Sequence, residues 1–173
     1  MEEGKKNNGS FEDLSLKENL LRGIFSYGFE VPSAIQSKSI PFLKSGKDVI
    51  AQAQSGTGKT GAFVIGSLER VDPDVKGTQI IIISPTRELS KQTTDVVCEL
   101  SKYMDISYME VVGGTDVFQC RSDLDKLPQI IIGTPGRILD MINKKSIFTD
   151  KLVSLIFDEA DEILSHGFRE TIY

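Results

Sequence analysis

Short apolar runs alternate along this chain with segments long enough to form helices. Such alternation is typical of β-α units that build a mainly parallel sheet. The run from Gln79 to Ser84 reads QIIIIS, and its apolar interior is expected of a strand that helices cover on both faces. The pattern therefore predicts an α/β fold whose strands correspond to Val49 to Ala53, Ile80 to Ser84, Tyr108 to Val112, Ile130 to Gly133 and Leu152 to Asp158.

Length and composition fit one soluble domain. The chain has 173 residues, of which 39% are hydrophobic and 26% charged, enough for one hydrophobic core. The longest aliphatic stretch, Ile80 to Ile83, is far below the ~18 residues of a membrane-spanning helix. The formal net charge of −5 argues against a broadly basic surface for nucleic acid. A small site built from backbone amides and a few arginines is still compatible with that charge.

Cysteine and histidine content argues against a disulfide scaffold or a zinc module. Cys98 and Cys120 form no CxxC pair, and His166 is the single histidine, so neither residue type offers a typical ligand spacing. We expect both cysteines to be reduced and buried.

The first part of the chain is predicted to contain a tail and then two helices. Residues 1–9 are polar and glycine-containing, which predicts a disordered tail. Residues 10–36 form a helical region, in which Ser15 and Glu18 have the spacing of a capping box and Gly28 suits a helix end. A second helix should open near Ser33, with Pro41 bending or ending it. The first helix is supported by the helical spacing of Leu16, Leu20, Leu21, Ile24 and Phe25.

A glycine-containing loop follows the first apolar run. In AQSGTGKT, glycines let backbone N–H groups turn toward phosphate oxygens, and a helix opening near Lys59 adds its positive dipole end. Lys59 would neutralise the β and γ phosphates, and Thr60 would ligate magnesium. The general phosphate-loop pattern begins with glycine where this chain has alanine. Residues 37–173 are therefore predicted to form a nucleotide-binding domain, whose loop consists of Ala53, Gln54, Ser55, Gly56, Thr57, Gly58, Lys59 and Thr60.

Two acidic residues follow the last apolar run. Asp158 and Glu159 should emerge beyond the C-terminal end of a strand, where ligands bind in open α/β sheets. We expect Asp158 to hold Mg²⁺, partly through water, and Glu159 to orient or deprotonate the attacking water. The alternative is that these carboxylates only cap the following helix. The phosphate loop upstream favours the catalytic interpretation.

The combination of AQSGTGKT and DEAD resembles the DEAD-box ATP-dependent RNA helicases, and the resemblance extends from Phe11 to the last residue. Residues 28–36, GFEVPSAIQ, are similar to the Q motif of that family, in which alanine is usual at position 53. The resemblance implies a RecA-like fold and ATP as the cofactor. Gln36 would read the adenine edge and Phe11 would stack on its ring. The alternatives are a helix-surface amide for Gln36 and a core anchor for Phe11.

Three further loops carry motifs in the order of the family. Arginines can pair with phosphate oxygens, glycines permit close approach of a sugar-phosphate backbone, and Thr134 can hydrogen-bond to phosphate. Binding should therefore be largely independent of RNA sequence, while preference for RNA over DNA is implied by the family alone. The RNA-binding candidates are Pro85, Thr86, Arg87, Gly113, Gly114, Thr134, Pro135, Gly136 and Arg137.

Within the family, the chain looks most like translation initiation factor 4A and its close relatives. That likeness implies a cytoplasmic, monomeric protein that acts on mRNA with scaffold partners, and nuclear exon-junction or ribosome-biogenesis relatives are the alternative. The resemblance also implies a Ser-Ala-Thr strand between the phosphate-loop strand and the DEAD strand, and a second domain that supplies arginine fingers. Because neither lies within these 173 residues, we expect a gap in the sheet, poor ATP hydrolysis and no unwinding by this chain alone.

Two other classes of function stay open at this point. A shortened, non-catalytic chain could act only by binding RNA or a scaffold. A small-molecule kinase or guanine-nucleotide switch is disfavoured by the Q motif, by DEAD and by the lack of an Asn-Lys-x-Asp signature.

Overall fold

The computed structural model describes residues 9–165. Residues 1–8, which make up nearly all of the predicted tail, and residues 166–173, which include His166, lie outside the described part. A 3-10 turn at Glu12–Leu14 precedes the first helix. The helices are α1 Glu18–Ser26, α2 Ala34–Lys44, α3 Lys59–Leu68, α4 Arg87–Leu100, α5 Val117–Leu124, α6 Pro135–Asn143 and α7 Ala160–Ser165, and the strands are β1 Ile80–Ile83, β2 Tyr108–Val111, β3 Ile130–Gly133 and β4 Ser154–Phe157.

The strands form one parallel sheet in the order β2-β3-β1-β4. Ile80 at the start of β1 lies opposite Ile130 in β3 and Ser154 in β4. Because the pairs are parallel and in step, the loops that follow all these strands meet at one edge of the sheet. The predicted α/β fold with a parallel sheet is confirmed.

A hydrophobic core lies on each face of the sheet. On one face, Ile80 and Ile82 pack with residues from α1 to α4. On the other face, Ile81 and Ile83 pack with residues from α5, α6 and α7. Successive side chains of β1 point to opposite faces of the sheet, and a core covers each face. All four positions are therefore apolar. Within the described residues, no helix is both long and apolar enough to cross a membrane.

The predicted strand at Val49 to Ala53 is wrong for this structure. These residues are in no strand, and no backbone hydrogen bond joins them to another described residue. Ile50 is fully exposed, and Leu155 on the neighbouring β4 is half exposed. A strand requires a partner for its backbone N–H and C=O groups, and no residue among 9–165 pairs with this segment.

One detail of the N-terminal helices also differs from the sequence prediction, and a second narrows it. Ser15 does not cap α1: it has φ of 51° and closes the 3-10 turn, while the N-cap of α1 is Lys17 without a side-chain bond. Of the two outcomes expected at Pro41, a bend or the end of the helix, the structure excludes the end, because α2 continues to Lys44. A Cβ on Gly66 would lie 2.5 Å from Leu43 Cβ, so α2 and α3 are closely packed beyond the proline. This packing outweighs the local helix-breaking tendency.

The cysteines are both free, as expected, but only one is buried. Cys120 lies in the core and Cys98 is exposed on α4. The prediction of burial is therefore wrong for Cys98. Its position follows from α4 being a surface helix, whose buried side includes Thr94 and Val97.

Candidate nucleotide and nucleic-acid site

The phosphate loop has the backbone conformation that its glycines permit. Gly56 has φ of 79° and Gly58 has φ of 92°, values that residues with a Cβ rarely adopt. Within the loop, Thr57 Oγ1 donates to the Gln54 carbonyl at 2.7 Å. The helix α3 begins directly afterwards, at Lys59. The backbone amides at 58–60 thus lie at a helix N-terminus, which favours negatively charged groups.

The Gln36 side chain connects helix α2 to this loop. Its Oε1 accepts from the Ser33 amide at 2.9 Å, and its Nε2 donates to the Gly58 carbonyl at 3.2 Å. Gln36 is buried, so it is not the surface amide that the alternative interpretation described. A Cβ on Gly58 would lie 2.8 Å from Gln36 Nε2, and the bridge therefore also requires glycine at position 58.

Phe11 is placed differently from the prediction. It is fully buried, its ring stacks on Phe29 with centroids 6.2 Å apart, and it meets Phe25 edge-on. A side chain with no exposed surface has no face to offer to a purine, so the core-anchor interpretation describes Phe11 in this geometry. Phe29 is the aromatic that reaches the nucleotide loop region, because a Cβ on Gly61 would lie 3.0 Å from Phe29 Cε2. The sequence signal that could have identified Phe29 is its position directly after Gly28, in the segment 28–36 that resembles the Q motif.

The acidic residues after β4 face the phosphate loop. Lys59 Nζ lies 3.6 Å from Glu159 Oε1, with both side chains partly exposed. Burial, and next the neighbouring Glu159 carboxylate, raise the pKa of Asp158 above its usual 3.8. Glu159 has a left-handed backbone with φ of 47°, and its carbonyl accepts from Glu162 and Ile163 at the start of α7. The structure therefore brings Lys59, Asp158 and Glu159 together, as the sequence predicted.

A cavity of about 860 Å³ lies between α2, α3 and the segment 46–53 on one side and β4 on the other, and it reaches the phosphate loop only at Ala53 and Lys59. It is lined by Lys59, Asp158, Glu159 and the segment 49–53, among others. Ser55, Gly56 and Thr60 are not among its lining residues, so the cavity extends from the loop along the open side of β4. This volume is in the range of small-molecule and cofactor sites.

The residues of the site fit a nucleoside triphosphate with magnesium. Mg²⁺ is usually held by one or two protein oxygen ligands together with substrate phosphates and water, and Asp158 and Thr60 supply that kind of donor set. The positive φ angles at Gly56 and Gly58 suit a loop whose N–H groups surround phosphate. No group of three or more His, Cys, Asp or Glu side chains in residues 9–165 could form a metal site of protein ligands alone.

The candidate RNA-binding loops lie together at the same edge of the sheet. A Cβ on Gly114 would lie 2.5 Å from Arg87 Nη1, so the guanidinium packs directly on this glycine. The Gly113 amide donates to Thr134 Oγ1 at 3.4 Å. Arg137 donates from Nη1 and Nη2 to Thr115 Oγ1 and O, both at 3.0 Å. Loops after β1, β2 and β3 are thereby joined into one surface.

Several of these residues also begin helices. Thr86 caps α4 by accepting from the Leu89 amide at 3.2 Å. Thr134 is the N-cap of α6, Pro135 and Gly136 are its first residues, and no side-chain bond caps it. Pro85 precedes the α4 cap. Pro135 and Gly136 thus have a structural role at the start of α6. Thr115, the partner of Arg137, is a residue of this surface that the sequence prediction did not include.

Comparison with known proteins identifies relatives with the same arrangement. The family model for DEAD/DEAH box helicase matches residues 33–173. The ATP-dependent RNA helicase eIF4A of Neosartorya fischeri is 51% identical over 164 residues, which cover 95% of this chain and 41% of the relative. The ATP-dependent RNA helicase fal1 of Schizosaccharomyces pombe is 50% identical over 164 residues, covering 95% of this chain and 42% of that protein. The chain thus spans about two fifths of the length of these curated relatives.

Solved structures agree with the sequence comparison. A DEAD box protein from Methanococcus jannaschii matches with a TM-score of 0.87 and 36% identity, covering 94% of this chain and 45% of the other. Dbp5 of S. cerevisiae bound to RNA and ADP BeF3 matches with a TM-score of 0.85 and 36% identity, covering 94% of this chain and 41% of the other. On its sheet topology, its phosphate loop and these matches, the chain belongs to the DEAD/DEAH box helicase family, as an eIF4A-like, RecA-like N-terminal domain.

Proposed function

We propose that this chain binds ATP with magnesium and the sugar-phosphate backbone of RNA, as the N-terminal part of an ATP-dependent RNA helicase. The observation that carries the proposal is the arrangement of two groups of residues at one sheet edge. Lys59 and Glu159 lie 3.6 Å apart beside the phosphate loop. Arg87 and Arg137 lie on the joined loops after β1 to β3.

At the nucleotide site, each residue has a distinct role. Lys59 and the amides at the start of α3 bind phosphate oxygens, and Thr60 and Asp158 hold magnesium, which would neutralise phosphate charge. Glu159 is placed to orient water or to accept its proton. Gln36 is hydrogen-bonded to Ser33 and to Gly58 in this geometry. To read adenine, its Nε2 would have to leave the Gly58 carbonyl, or donate one proton to that carbonyl and the other to the base.

At the RNA site, binding depends on backbone contacts. Arg87 and Arg137 offer guanidinium groups to phosphate oxygens, and Gly113 and Gly114 allow a strand to approach closely. Contacts of this kind position the nucleic acid without reading its bases. We therefore infer that affinity differs little between RNA sequences.

Hydrolysis by this chain alone is expected to be slow. Among the described residues that line the cavity, Arg70 carries the only guanidinium, and it donates to Ser154 Oγ at 2.6 Å. An arginine at the transferring phosphoryl group contributes about 10³- to 10⁵-fold to turnover in related reactions. We infer that this arginine, and strand separation itself, come from the rest of a longer helicase.

A role in translation initiation is the pathway that the relatives favour. Several of them carry the name eIF4A, from which we infer mRNA as the substrate, scaffold proteins as partners, a monomeric state and a cytoplasmic location. The similarity to fal1 supports the alternative of a nuclear relative. Localisation of the tagged full-length protein would separate the two.

Thermal unfolding with and without nucleotide tests the ATP site. Magnesium-ATP should raise the melting temperature, since a ligand at 100 times its dissociation constant stabilises by about 2.7 kcal/mol. Lys59→Ala should abolish the shift, whereas Lys102→Ala, at an exposed position, should keep it. An equal shift with GTP, or an unchanged ATP preference in Gln36→Ala, would contradict the adenine-reading role.

A binding titration at low salt tests the RNA site. Arg87→Ala and Arg137→Ala should each weaken binding to all RNA sequences alike. Lys102→Ala again serves as the control for a lost positive charge. Undiminished binding by both arginine variants would contradict the assignment.

A further inference from the structure

Phe118 is the most exposed aromatic side chain among the described residues. It is 82% exposed and lies in the first turn of α5. The core-facing side of this helix is marked by Cys120 and Leu124, which are buried. At about 100° per residue, Phe118 lies about 200° around the helix from Cys120. Its ring therefore points away from the core.

The position of Phe118 is next to the candidate RNA surface. It follows Thr115 by three residues, and Thr115 accepts both hydrogen bonds from Arg137. With consecutive Cα atoms about 3.8 Å apart, its Cα lies within about 11 Å of the Thr115 Cα. The intervening Asp116 carboxylate accepts from the Gln119 amide at 2.7 Å and is thereby used in capping α5. The surface thus combines two guanidinium groups with an exposed aromatic ring.

We infer that Phe118 is a stacking platform for one base of a single-stranded RNA whose phosphates lie on Arg87 and Arg137. This inference rests on the proposed RNA binding and adds to it a contact with a base. Phosphates held by arginines leave the bases free to turn aside, and every base has a π face that an aromatic ring can accept without regard to sequence. In a duplex the bases are stacked inside the helix, so Phe118 makes the site favour single strands.

The absence of tryptophan from the chain allows a direct test. Phe118→Trp introduces the sole indole, and a base stacked on it should quench its fluorescence when a twelve-residue oligouridine is added at low salt. Phe148→Trp is the matched control. Phe148 is 54% exposed but lies between the end of α6 and the start of β4, at the opposite edge of the sheet, so its fluorescence should not change.

Affinity measurements complete the test. Phe118→Ala should weaken binding of single-stranded RNA by roughly fivefold or more, from the usual effect of losing one base stack, and should leave binding of a blunt RNA duplex unchanged. Phe118→Tyr should retain the affinity of the original protein. Circular dichroism melting should show that the variants fold equally well, because the substituted side chain is outside both cores.

The outcomes distinguish this inference from the proposed function. If Arg137→Ala weakens RNA binding while Phe118→Ala binds normally and the indole at position 118 is not quenched, the stacking role is overturned and RNA binding stands. Equal losses for single strands and duplexes would also overturn it, since stacking requires an open base. If the original chain binds no RNA at low salt, the proposed function fails and the inference fails with it.

Discussion

The surroundings of Asp158 disfavour the ionised form of its carboxyl group. Burial and the adjacent Glu159 carboxylate both raise the pKa of its carboxyl group above 3.8. A group whose pKa is raised on folding binds its proton more tightly in the folded state. The stabilisation from that proton is fully present below the unfolded pKa and is lost as pH rises through the folded pKa. At neutral pH the ionised carboxylate therefore lowers the free energy of unfolding, and this is the group that we propose as a magnesium ligand.

We predict that Asp158→Asn stabilises the nucleotide-free chain at pH 7 while removing its response to magnesium-ATP. The free energy of unfolding should rise by on the order of 1 kcal/mol, and the gain should shrink toward zero as the pH falls to about 4. Urea unfolding at several pH values measures it. Asp105→Asn, at an exposed position, is the control. A gain that is independent of pH would contradict this explanation.

Ser90 is a second residue whose chemistry does not match its surroundings. It is fully buried, and its Oγ has no hydrogen-bond partner among the described residues. We predict that Ser90→Ala raises the free energy of unfolding by about 1 kcal/mol, because an unsatisfied buried hydroxyl is lost. Ser67→Ala removes a hydroxyl that donates to the Phe63 carbonyl at 2.6 Å and should give no such gain in parallel urea titrations. A lower stability for Ser90→Ala would imply a partner such as buried water.

The conformation of the loop at 53–60 could be predicted from the sequence because its requirements are local. The glycines at positions 56 and 58 and the following Lys59 predict a loop that opens a helix, and the structure gives the glycines positive φ angles and begins α3 at Lys59. The position of Phe11 was not readable in this way. Whether an aromatic ring faces a ligand or a core depends on Phe25 and Phe29, which pack around it, and no local pattern contains that information.

At the scale of elements, the segment 49–53 differs from the four strands in its backbone pairing and its exposure. It is apolar enough for a strand, yet its backbone pairs with no described residue and Ile50 is fully exposed. We predict fast amide hydrogen exchange at 49–53 and slow exchange in β1, where Ile81 and Ile82 are buried between β3 and β4. Exchange followed by mass spectrometry on the isolated chain tests this. Equal protection of the two segments would show that 49–53 is paired in solution.

The strands of the sheet could be predicted because their side chains are mostly apolar, as burial on the faces of the sheet requires. Each position of β1 must face one of two cores, so an uninterrupted isoleucine run is read correctly from sequence. The segment 49–53 is also apolar, but whether it forms a strand depends on a pairing neighbour elsewhere in the chain. For the same reason, the local rule failed at Ser15, where the turn before α1 decides the conformation. The packing of α2 on α3 likewise decides that α2 continues past Pro41.

At the scale of the whole molecule, charge limits how RNA can bind. The net charge is −5, and the surface that we propose for RNA offers two arginines to phosphate groups. Each neutralised phosphate of a single strand contributes about −0.7 to the slope of log affinity against log salt, so we predict a slope of about −1.4. Fluorescence anisotropy between 20 and 200 mM salt, chosen as roughly a tenfold range, measures it.

The arginine variants provide the control for this slope. Arg87→Ala or Arg137→Ala should bring the slope closer to zero by about 0.7, whereas Lys102→Ala should not change it. A slope steeper than about −3 would require additional cationic contacts. It would show that the basic surface is larger than the loops after β1 to β3.

The contact between Lys59 and Glu159 has a consequence for the nucleotide binding that we propose. A phosphate group that binds Lys59 would have to replace the Glu159 carboxylate as its partner. The ammonium group already has a carboxylate 3.6 Å away, so an arriving phosphate competes for a charge that is in use. The net free energy that such a phosphate would gain is smaller than with a lysine that has no carboxylate beside it, so the contact would lower the affinity for nucleotide. In the function that we propose, the same exchange would free the Glu159 carboxylate when a phosphate takes its place. Nucleotide binding and the availability of this carboxylate to a water molecule would then depend on one competition.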